Sequence, residues 1–111
     1  MYTDEWRKKG INYRIENRRP VAGPVYYRHI YDENDEIIGV CVDFECSDDF
    51  HYELLANDWQ RFCNTFLEQG DEKQMFQQFL EKKGLNTVDG LFAFERALER
   101  ENIPFKKISF F

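Results

Sequence analysis

A chain of 111 residues, 42% apolar and 17% aromatic, is large and apolar enough for one cored domain, which excludes wholesale disorder despite 32% charged residues. No run approaches the ~20 apolar residues of a membrane span, and the opening MYTDEWRKKG has no apolar signal core, so a soluble cytoplasmic protein is expected. A net charge of −6 argues against a dedicated nucleic-acid binder, and three cysteines without CxxC spacing (Cys41, Cys46, Cys63) argue against a disulfide framework.

In chain order, residues 1–9 read as a flexible basic arm, and INYRIEN alternates Ile11, Tyr13 and Ile15 in the manner of a strand. Arg18 to Pro24 is expected to be a loop, because Pro20, Gly23 and Pro24 crowd it. VYYRHIYD and IIGVCVDFEC, separated by polar ENDE, then predict a hairpin over residues 25–46. Flanking the turn with Glu33 and Glu36 sets Tyr31 opposite Ile38, His29 opposite Val40, Tyr27 opposite Val42 and Val25 opposite Phe44. That register turns His29 toward the core as a hydrogen-bonded histidine. It collects Tyr26, Arg28, Cys41, Asp43 and Glu45 on the other face, so a slip of one residue would mix the two faces.

Ser47-Asp48-Asp49 reads as a turn, and FHYELLA as a third strand, since Asn57 and Asp58 are good caps for a helix that follows. Trp59, Phe62, Cys63, Phe66 and Leu67 form one apolar helical stripe, with Gly70 as the expected stop. A second helix is predicted from Asp71 to Gly84 around Met75, Phe76, Phe79 and Leu80. A third, capped by Thr87, aligns Leu91, Phe94 and Leu98. Pro104 breaks the pattern, and FKKISFF closes the chain as a strand returning Phe105, Ile108 and Phe110 to the sheet. The fold expected is α+β in a single domain: an antiparallel sheet, from an N-terminal hairpin or meander plus a C-terminal strand, with two to three helices on one face.

Charge is segregated along this chain. Residues 1–28 sum to +4, residues 29–72 to −12 with Arg61 the single base, and residues 73–111 to +2. Within the acidic stretch, VDFECSDDFHYE concentrates Asp43, Glu45, Asp48, Asp49, His51 and Glu53. Asp49, His51 and Glu53 offer three metal-type donors, but without HExxH, an EF-hand loop or paired CxxC no metal or other cofactor is expected. Cys46 and Cys63 fall on apolar faces and read as core residues. Arg28, opposite Cys41, is of the right charge to lower its thiol pKa, but no histidine shares that face. Asp43 and Glu45 have no cleft that would perturb one against the other, so the chain is not expected to be an enzyme.

The basic stretch WRKKGINYRIENRRP mixes aromatics with cations, as single-strand binders do, yet the adjoining acidic segment would repel a phosphate backbone. Such one-sided charge costs self-repulsion that a basic partner would relieve. The sequence therefore predicts a small inhibitor of the immunity-protein or antitoxin kind, or a phage inhibitor, contacting a basic nuclease-type protein. Its expected contact residues are Tyr26, Asp43, Glu45, Asp48, Asp49, Tyr52 and Glu53, with Trp59 a further aromatic anchor. The alternatives are an accessory subunit joined through the FKKISFF strand and, less favoured, a small metal-dependent enzyme.

Overall fold

The computed structural model describes residues 2–44, 50–85 and 90–109. In chain order the elements are α1 (Thr3–Lys8), β1 (Arg14–Ile15), β2 (Arg19–Ala22), β3 (Val25–Tyr31), β4 (Ile37–Phe44) and β5 (Phe50–Leu55). They continue with α2 (Ala56–Phe66), α3 (Glu72–Lys82), α4 (Gly90–Arg100) and β6 (Lys106–Ser109). The six strands make one antiparallel sheet, ordered β1-β3-β4-β5-β6, with β2 also paired to β3.

The β3–β4 hairpin has the register that alternating apolar side chains demand. Val25 pairs with Phe44, Tyr26 with Asp43, Tyr27 with Val42, Arg28 with Cys41 and His29 with Val40. Near the turn a bulge shifts Tyr31 from Ile38 to Ile37. Asp32 organises that turn: its carboxylate accepts from the N–H of Asn34 at 2.8 Å and of Glu36 at 3.0 Å. Asp35 takes a left-handed φ of 60°, the residue in which a three-residue hairpin loop turns back.

Two expectations for the N-terminal third are corrected. Arg18 to Pro24 is not wholly loop, because Arg19–Ala22 adds to β3 as an edge strand that buries Val21 and Ala22. An edge tolerates Pro20, which has no N–H to donate, and the register breaks just after it. Nor are residues 1–9 a free arm, since Thr3–Lys8 forms helix α1 with Thr3 buried.

Three helices cover one face of the sheet, as the α+β reading requires. The core joins Val25, Tyr27, Val40, Val42, Tyr52 and Leu54 to Trp59 and Phe62 of α2, Phe76, Phe79 and Leu80 of α3, and Phe94 and Leu98 of α4. Phe62 is its centre: the rings of Trp59, Phe66, Phe76, Phe79 and Phe94 lie 5.0–5.8 Å from its own, mostly edge-on.

The helix ends differ in how well local chemistry foretold them. Asp71 caps α3, accepting from the N–H of Gln74 at 2.9 Å. Gly84, with φ of 67°, lets the N–H of Leu85 return to the carbonyl of Leu80 at 2.7 Å. By contrast α2 starts one residue before Asn57, so Asn57 and Asp58 sit in its first turn and do not cap it. It ends at Phe66 with Leu67 extended, short of Gly70. Arg61 donates to the carbonyls of Glu101 at 2.8 Å and Asn102 at 3.1 Å, satisfying the end of α4. β6 pairs with β5, but Ile108 sits opposite His51, on the face away from the core side that Phe105 joins. Cys46, the expected turn at 47–49, the Thr87 cap and Phe110 lie outside the described residues.

Candidate functional site

The described members of the expected contact set, Tyr26, Asp43, Tyr52 and Glu53, do not share one exposed acidic face. Tyr26 and Asp43 are cross-strand partners, but the Asp43 side chain is only 9% exposed and Arg18 Nε reaches its Oδ2 at 3.1 Å. Arg28 approaches the same oxygen at 3.9 Å, and the Arg18 guanidinium lies 4.2 Å from the Tyr26 ring centre. This carboxylate is neutralised by the chain's own arginines. Tyr52 lies on the helix-facing side of β5, fully buried among the rings of Phe50, Phe94 and Phe105, its hydroxyl donating to Glu95 at 3.3 Å. Trp59 is likewise core. Neither ring is available as a surface anchor. Glu45, Asp48 and Asp49 lie outside the described residues.

Glu53 is the largest departure. Period-two alternation assigns it to the outward side of β5, and it does point away from α2–α4, yet it is 1% exposed because α1 covers it. The N–H of Thr3 donates to Oε1 at 3.0 Å, the Thr3 hydroxyl donates to Oε2, and His51 Nε2 is 2.6 Å from Oε2. Cys41 pairs across the sheet with Arg28 on one side and Glu53 on the other. Burial pushes its thiol up to about 12 despite the arginine, so it is no nucleophile at neutral pH. Lys106 reaches back to Asp4, tying β6 to α1 as well.

A second polar cluster gathers residues whose spacing in the sequence gives no sign of it. His29 stands between two carboxylates, with Nδ1 2.6 Å from Glu16 Oε1 and Nε2 2.9 Å from Glu72 Oε2. The Tyr31 hydroxyl donates to Glu16 at 3.0 Å, while the Tyr27 hydroxyl and the Trp59 indole donate to Glu72 at 3.2 Å and 3.0 Å. Hydrogen bonding to Glu72, then to Glu16, raises the His29 pKa against the opposing effect of burial. The bond to His29 lowers Glu72 in turn, and for Glu16 the bonds from Tyr31 and His29 outweigh burial and lower it too. The bland expectation for His29, a hydrogen-bonded core-side histidine, therefore describes it well. Its acidic partners were not foreseeable, because Glu16 lies in the basic opening stretch, 13 positions away, and Glu72 at the far end of the acidic segment, 43 positions away.

Glu72 also reaches the rim of an open recess of about 460 Å³ beside Cys63, Asn64 and Met75. Burial, then the neighbouring Glu72 charge, drives the Cys63 thiol up to about 12, which keeps it protonated at neutral pH. Among the described residues no three His, Cys, Asp or Glu side chains are grouped to hold a metal.

Among the described residues, exposed acidity is instead concentrated at the β3–β4 hairpin end. Glu33, Asp35 and Glu36 are exposed there beside Asp32, and among the described residues only Arg14 answers them, at 3.2 Å from Asp35 in an open, solvent-screened pair. Ile37, 48% exposed, adjoins them. At one margin of the sheet the edge strand β6 carries Lys106 and Lys107, charges of the kind that discourage strand addition at a sheet edge. No helix among the described residues is long and apolar enough to cross a membrane. No family model matches the chain, nor does any curated protein or solved structure.

Proposed function

We propose that this chain works by binding, as a small inhibitor of the immunity or antitoxin kind that acts in the cytoplasm on a basic, nuclease-type protein. The contact surface is the β3–β4 hairpin end, not the strand residues Tyr26, Asp43, Tyr52 and Glu53. What supports this reading is the juxtaposition of Asp32, Glu33, Asp35 and Glu36 with an exposed Ile37. Carboxylates there repel one another in the free protein, and a cationic substrate channel would relieve that repulsion and speed encounter. Ile37 supplies the apolar contact that long-range charge alone does not, and the short, side-chain-braced turn holds these groups in place before contact.

The test is co-expression with the products of the neighbouring genes, read as cell survival and integrity of nucleic acid. One toxic nuclease should be silenced by the native chain and released by Glu33→Lys/Glu36→Lys. Equal protection by that variant, or no silenced product, would refute the reading.

A further inference from the structure

A trough crosses the outer surface of the helical layer. Its two halves, about 320 Å³ and 250 Å³, share Phe66, Phe79 and Lys83. Leu85 and Ala93 extend the apolar floor, Lys82, Lys83, Arg96 and Arg100 stand exposed around it, and Glu68 is the one acid in its lining. Among the described residues none of these four cations takes part in an ion pair. Phe92, 56% exposed, lies one helical turn before Arg96 on the same side of α4. Exposed aromatic and arginine side chains over an apolar floor are the composition of a protein contact.

In a chain of net charge −6, four cations against the single Glu68, none of the four ion-paired among the described residues, call for an acidic occupant with a bulky apolar side chain. The same chain carries that object. Its hairpin end offers Glu33, Asp35 and Glu36, and Ile37 is, with Phe92, one of the two large apolar side chains left exposed among the described residues. We infer that the trough receives the β3–β4 hairpin end of a second copy, Ile37 against the Phe66–Phe79 floor and the carboxylates among Lys83, Arg96 and Arg100. Because the two surfaces belong to different elements, the contact is head-to-tail and closes as a reciprocal pair or ring, or else extends as a chain. Self-association would cover the acidic end until a more basic partner competes for it.

Sedimentation velocity of the intact chain at low and high ionic strength tests this without any partner, so its failure and that of the proposed function are separate results. Association is expected at low salt and should weaken ~10-fold or more at high salt, where screening shortens to a few ångström. Lys83→Glu/Arg96→Glu/Arg100→Glu and Glu33→Lys/Glu36→Lys should each be monomeric, while their equimolar mixture should form a mixed assembly, since each now matches the other's altered surface. Ile37→Ser should weaken association without altering its salt dependence. A native chain that stays monomeric at low salt, or a mixture that stays monomeric, overturns the inference and leaves the trough to a different anionic occupant.

Discussion

Thr3 and Glu53 lie 50 positions apart and are joined twice, the backbone N–H of Thr3 donating to Oε1 at 3.0 Å and its hydroxyl to Oε2. A buried carboxylate must have such partners, because an unpaired charge at 1% exposure would cost several kcal/mol. Helix α1 therefore lies over the Glu53 part of the second sheet face, and the Thr3–Lys8 segment is part of the fold.

Thr3→Ala removes the hydroxyl donor to a charged group and should lower unfolding stability by about 1.5–3 kcal/mol. Glu53→Gln should cost a similar amount. A double-mutant cycle in urea should find the two strongly non-additive, because they share one interaction. Additive losses would show that the two groups act independently.

Asp43 sits between Arg18 and Arg28 with its side chain 9% exposed. Asp43→Asn leaves a largely buried arginine without its counter-charge and should destabilise by about 1–3 kcal/mol, measured by chemical denaturation. A solvated surface acid would instead give a change within about 0.5 kcal/mol. The same substitution should leave partner affinity unchanged, since the carboxylate does not face outward.

The Glu16–His29–Glu72 cluster makes stability depend on pH in two directions. His29 is raised above its ordinary 6.5, so its contribution is full below that value and is lost as pH climbs through the folded value. Glu16 and Glu72 are lowered below their ordinary 4.5, so theirs is present above that value and is lost as pH falls through the folded ones. The cluster contributes most between 4.5 and 6.5. His29→Gln keeps hydrogen-bonding capacity but cannot titrate, and thermal melts across pH should show the native advantage over this variant shrinking on the alkaline side. A constant difference between the two profiles would exclude His29 as the titrating group.

Gly39 faces a neighbouring backbone, not open space. A Cβ there would lie 2.8 Å from the carbonyl oxygen of Leu54, closer than real contacts allow. Gly39→Ala should force β4 and β5 apart locally and cost about 1–3 kcal/mol in a denaturant melt. Unchanged stability would mean that the pair yields freely.

Alternation along residues 25–44 was enough to set the hairpin register, because a slip would exchange buried Val25, Tyr27, Val40 and Val42 for Arg28 and Asp43. Helical stripes located α2, α3 and α4 by the same reasoning, and Asp71 and Gly84 marked ends where backbone groups need partners. These are properties of neighbouring residues. What covers the second face of a sheet is not. Period two separates His51 and Glu53 from Tyr52 and Leu54, but it cannot say whether water or helix α1 lies above them, and here Thr3 does. The pairing of Asp43 with Arg18, and of His29 with Glu16 and Glu72, likewise waited on chain segments distant in sequence. A charged side chain's role depends on who neutralises it, and that choice belongs to the tertiary structure.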